Sequence, residues 1–118
     1  MTYAMAVDDA GLLRNVHWGG PIAAGSDLAP LPMWDLSTND MYADIAHEEY
    51  PCHGGFRYKE QCLAVEFADG TREIRAVYVG HTDTDHLVIH LADEQYGLAI
   101  DLHYRTVPDL DLLERWSV

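Results

Sequence analysis

The stretch Leu87-Val88-Ile89-His90-Leu91-Ala92-Asp93-Glu94-Gln95-Tyr96-Gly97-Leu98-Ala99-Ile100-Asp101-Leu102-His103-Tyr104-Arg105 decides the fold class of this chain. Leu87, Ile89 and Leu91 alternate with Val88 and His90, and Leu98, Ile100, Leu102 and Tyr104 alternate with Ala99, Asp101, His103 and Arg105. A period of two sends successive side chains to opposite faces of a strand, so each run has one apolar and one mixed face. Asp93 to Gly97 supplies turn residues between them, which predicts two antiparallel strands.

The same period extends outward in both directions. Upstream, Leu63, Val65 and Phe67 alternate with Ala64 and Glu66, and the Asp69–Gly70 pair accepts positive φ at low cost. The return strand is expected from about Arg72 to Val79, with Ile74, Ala76 and Tyr78 on one face and Glu73, Arg75 and Val77 on the other. Gly80 to Asp85 is a polar break before the central pair. Four strands in meander order follow. Downstream, Pro108 cannot lie inside a central strand, and the apolar run Leu110 to Val118 reads as a fifth strand. Leu110, Leu113 and Glu114 also fit a period near 3.6, so a helical turn stays open there. That run ends without a polar tail and carries Trp116, which makes the 118 residues read as one β domain cut from something larger.

The first half is less regular. Leu12, Leu13, Val16 and Trp18 suit one or two short strands introduced by Asp8, Asp9 and Gly11. From Pro21 to His47 the chain reads as a long irregular loop punctuated by Gly25, Pro30, Pro32 and Asn39. The expected architecture is all-β, an antiparallel sandwich built from meander hairpins.

Composition excludes several partners. The chain carries 20 acidic and 7 basic residues, a formal net charge of −13, and no Lys/Arg stripe, so nucleic acid and anionic membrane surfaces would be repelled. Met1 to Val7 lacks the basic flank and apolar length of a signal peptide, and no apolar run approaches membrane-spanning length, which predicts a cytoplasmic protein. Cys52 and Cys62 fit either reduced thiols or one disulfide.

Chemistry-bearing patterns are sparse. A zinc reading would join His86 and His90 to His103 or an Asp of an adjacent strand, but residues four apart on a strand lie about 13 Å apart, too far for one ion. No metal or cofactor is expected. Cys52 beside His53 is no nucleophile and base pair, because neighbours on an extended chain point apart. The carboxylate pairs Asp83 with Asp85, Asp109 with Asp111 and Glu48 with Glu49 have no cleft in which one acid would be held protonated. No catalytic residue is assigned.

One segment stands out: Glu48-Glu49-Tyr50-Pro51-Cys52-His53-Gly54-Gly55-Phe56-Arg57-Tyr58. Pro51 fixes φ and the glycines permit tight turns, which suits a rigid loop presenting aromatics and an Arg to sugar rings or carboxylates. The bland alternative is a structural loop whose aromatics fill the core.

Together with Trp18–Gly19, Val65 to Thr71, Tyr78 to His81, Leu102 to Arg105 and Asp111 to Arg115, in that order, this segment resembles the N-terminal β-sandwich domain of glycoside hydrolase family 36, the microbial α-galactosidases. The resemblance covers the chain from about Leu12 onward. Gly55 abuts Phe56 directly, where typical members place an aspartate, so no role is borrowed for that acid. Only Thr82 to Asp85 stands where many relatives carry a long insertion. The resemblance implies a larger supersandwich followed by a catalytic (β/α)8 barrel with no counterpart here, and hence a packing or assembly module. It also implies a loop near a sugar subsite, with Tyr50, His53, Phe56 and Arg57 as tentative substrate-binding residues. A stand-alone carbohydrate-binding sandwich and a ligand-free structural fragment are the alternatives. The expected partners are the missing catalytic domain, neighbouring subunits or a galactoside. Self-association is expected near Leu113 and Trp116, tightening as salt screens the negative charge.

Overall fold

The computed structural model describes residues 1–23, 25–29, 47–54 and 60–118. They form two antiparallel sheets: a pair, β1 (Thr2–Val7) with β2 (Leu13–Gly19), and a four-stranded meander of β3 (Val77–Asp83), β4 (Leu87–Asp93), β5 (Leu98–Val107) and β6 (Leu112–Ser117). The sheets pack face to face as a β-sandwich. Tyr3, Met5 and Leu13 of the pair join Ile89, Leu91, Ile100, Leu102 and Tyr104 of the meander in one apolar core. Most of the loop expected over 21–47 lies outside the described residues.

The quoted alternation is realised face by face. Ile89, Leu91 and Asp93 of β4 and Ile100, Leu102 and Tyr104 of β5 are buried, while the residues between them are half-buried or exposed. The register pairs Ile89 with Leu102 and Leu91 with Ile100, which sets apolar side chains directly opposite one another. The turn between them is held by Asp93, whose Oδ1 accepts from the backbone N–H of Gln95 (2.9 Å) and Tyr96 (3.1 Å). Its Oδ2 accepts from Arg75 N–H at 2.8 Å, which is why an aspartate is buried here.

Four points differ from the sequence expectation. Thr2–Val7 is a strand, with Tyr3 opposite Trp18. The upstream hairpin is shorter than expected: Asp69–Gly70 makes its turn, with Gly70 at φ +83°, but ladder pairing begins only at Val77. Backbone groups of that segment go instead to 51–53, through Cys62 N–H to Pro51 O (2.8 Å) and Ile74 N–H to His53 O (2.9 Å). The inward face expected for this segment is the buried one, since Ile74 is 2% and Ala76 9% exposed. The last run is a strand, β6, that begins at Leu112 after a 3-10 turn over Pro108–Leu110; Leu113 and Glu114, which also fitted a helical period, lie in that strand. Lastly, a bulge at Val79 restores the inward direction for His81, opposite Ile89. Cys52 and Cys62 are not joined in a disulfide. Among the described residues no helix is long and apolar enough to cross a membrane.

Candidate functional site

The segment singled out in the sequence lies where the two layers meet. Asn15 N–H donates to His47 O (2.7 Å) and Glu49 N–H to Leu13 O (3.0 Å), so 47–49 lies along β2. Three residues later Cys52 bridges Leu63. A chain that crosses between layers carries backbone polar groups with it, and these bonds satisfy them.

Glu49 is the hub. Its side chain is 1% exposed, and it accepts from Tyr3 Oη (2.7 and 2.6 Å), Tyr104 Oη (2.9 Å) and Asn15 Nδ2 (3.4 Å) while pairing with Arg115 at 3.0 Å. Arg115 also donates to the Glu49 carbonyl at 2.9 Å. The donors come from β1, β2, β5 and β6, so one carboxylate ties both sheets to the crossing segment. Burial, then the hydrogen bond and charge of Glu49, push the Tyr3 phenol up to about 12. Tyr104 is raised further, by burial first and by the same carboxylate. For Arg115, burial works against the charge, but the Coulombic pull of Glu49 together with smaller contributions from Tyr104, Tyr3 and Cys62 outweighs it, so the guanidinium is held above its ordinary value.

The residues assigned to a sugar contact are spread over different settings. Tyr50 is 8% exposed within the core, and its Oη donates to Ser117 Oγ at 3.3 Å, so its ring acts as packing. His53 is exposed. Phe56 and Arg57 lie outside the described residues. Gly54, which follows His53, has φ +151°, and a Cβ there would come within 2.9 Å of Glu73 Cγ, so glycine is strongly favoured. The hub escaped sequence reasoning because its members stand 34 to 66 residues from Glu49, with no local spacing to reveal them.

A cleft of about 460 Å3 opens between β1 and the inner face of β3 and β4, lined by residues including Met5, Val7, Leu87 and Ile89. Tyr78 and His81, joined Oη to Nδ1 at 2.7 Å, line it too, and no carboxylate is among the lining residues. Such a surface has no acid to protonate a leaving group.

A family model described as the glycosyl hydrolase family 36 N-terminal domain matches residues 11–118. The chain belongs to this family. It is also 26% identical over 135 residues to "Probable alpha-galactosidase G" of Aspergillus terreus, an alignment that covers 98% of this chain and 18% of the relative. The chain thus spans less than a fifth of that relative's length. No solved structure matches it. The family 36 N-terminal sandwich therefore accounts for both sheets of this chain from Gly11 onward, and β1 is the strand that precedes the match.

Proposed function

We propose that the chain is the non-catalytic N-terminal module of an α-galactosidase-like glycoside hydrolase and serves packing and subunit assembly. The observation that carries this reading is the state of Glu49. A glycosidase acid needs an open cleft and a second carboxylate about 5 to 9.5 Å away. Glu49 instead is enclosed, with its oxygens occupied by two phenols, an amide and a guanidinium. Its work is to hold two layers together.

The parent enzyme acts on terminal α-galactosides, by the name its relative carries. The segment from His53 to Arg57 contributes to the sugar subsite of a neighbouring subunit or domain, with His53 and Arg57 donating and Phe56 stacking. Tyr50 supports that loop from inside. Assembly uses the outer edge of β6, where Leu112 (52% exposed), Trp116 (39%) and Val118 (80%) give a partner apolar contact. The protein is cytoplasmic.

A second reading, a stand-alone sugar-binding sandwich, is favoured by Trp18, which is 73% exposed and meets Tyr3 only edge-on at 5.9 Å. Titration of galactose, melibiose and raffinose into the labelled chain, followed by NMR, separates the two. The assembly reading expects no saturable shifts at millimolar sugar. Saturation that disappears in Trp18→Ala would establish the second reading. Sedimentation velocity should show association that tightens as salt rises, and a monomer at all concentrations would remove the assembly role.

A further inference from the structure

The outward face of the meander carries a pair of histidines that the assembly role does not use. His103 of β5 is paired with Val88 of β4 and with Trp116 of β6. His86 stands two residues before Val88, at the bend leading into β4, which makes it the diagonal neighbour of His103 on the same face. The two imidazoles meet: His86 Nε2 lies 2.9 Å from His103 Nδ1, with ring centres 5.2 Å apart. Trp116 stacks on His103 at 4.9 Å with the planes 6° apart, and also touches the His86 ring at 5.2 Å. His90 takes no part, because its Nδ1 is 2.7 Å from Oδ1 of Asp101, its direct partner on β5.

We propose that His86 and His103 form a two-imidazole site for a divalent transition ion of the zinc and copper class. With metal–nitrogen bonds of about 2.0 Å and a tetrahedral angle, two ligand nitrogens stand about 3.3 Å apart and their ring centres about 5 Å. The observed separations come within a few tenths of an ångström of that, and rotation about χ1 and χ2 of the two side chains would turn both lone pairs toward one ion. Binding forms two metal–nitrogen bonds and breaks one N–H···N hydrogen bond, and the displaced hydrogen passes to the outer nitrogen of the same ring by tautomer exchange. Both histidines are half-buried, so the remaining coordination positions open to water. Among the described residues no group of three or more His, Cys, Asp or Glu is placed around one point, and the site therefore has two protein ligands. The net charge of −13 favours a cation at this surface. A bound ion would clamp the bend before β4 to β5.

Trp116 reports on the site. In a Trp18→Phe/Trp34→Phe background of the full chain, micromolar Cu2+ should quench Trp116 fluorescence with one-to-one saturation, and Zn2+ should compete the quenching away. His86→Ala and His103→Gln, each checked for native circular dichroism, should weaken binding about tenfold or more, since even outer partners of metal ligands carry effects of that size. His90→Asn should leave it unchanged. Copper should bind more tightly than zinc. Quenching that is absent at micromolar ion, or that persists undiminished in His86→Ala, would overturn the proposal.

Discussion

Replacing Glu49 with alanine tests the hub most severely. The substitution removes the acceptor of two phenols and an amide and strips Arg115 of its partner. Removing one side of a buried ion pair costs about 3 to 5 kcal/mol when the other charge stays buried. Arg115 is 35% exposed and can turn toward water, which discounts that figure, while two phenols losing a charged acceptor add to it. A net loss of about 3 to 4 kcal/mol is expected, a large share of the roughly 5 to 15 kcal/mol that holds a domain together. Urea unfolding followed by circular dichroism should show it as a midpoint lower by about 1.5 to 2 M at an m-value near 2 kcal/mol/M. Glu49→Gln keeps the shape and one acceptor and should cost about half as much. Glu114→Ala is the control, since the Arg105–Glu114 pair is exposed on both sides and should be worth about 0 to 1 kcal/mol. A Glu49→Ala loss no larger than that of Glu114→Ala would refute the hub.

The same network sets an alkaline limit. Tyr3 is raised from 10.0 to about 12 in the folded chain, so its contribution is complete below pH 10 and is lost as pH climbs toward 12. Stability measured across that window should fall, and less steeply in Tyr3→Phe. Gly54→Ala should destabilise by about 1 to 3 kcal/mol, through its positive φ and the 2.9 Å approach to Glu73, and Glu73→Ala should recover part of the loss. A thiol reagent under native conditions should modify exposed Cys62 promptly and buried Cys52 only on unfolding; equal rates would show that the core around Cys52 is open.

Strand faces were legible wherever the apolar period of two was unbroken. Leu87 to Arg105 gave two antiparallel strands, their turn and their inward face, because alternation and burial describe the same thing in a half-exposed antiparallel sheet. Leu63 to Ala76 alternates just as well yet forms no ladder of its own: alternation reports which side is buried and not which backbone supplies the hydrogen bonds, and here 51–53 accepts those of Cys62 and Ile74 while the turn keeps only Phe67 to Thr71 and Gly70 to Phe67. The strand Thr2–Val7 carried a weak signal, since Ala4 and Ala6 separate Tyr3, Met5 and Val7 without polar contrast. Pro108 marked the change from turn to strand, while the 3.6-period match of Leu110, Leu113 and Glu114 was misleading, since Leu113 and Glu114 belong to β6. The aromatic and charged loop was recognisable as unusual, but Glu49 at its centre was not. A hub made by residues from four strands leaves no spacing in the sequence.

The central claim is that this sandwich supplies architecture while bond cleavage belongs elsewhere in the enzyme. Incubating the purified 118-residue chain with 4-nitrophenyl α-galactoside and following nitrophenol release tests it directly. The account predicts no release above the buffer blank, for the native chain and for Glu49→Gln alike. Turnover by the native chain that is lost in Glu49→Gln would contradict it.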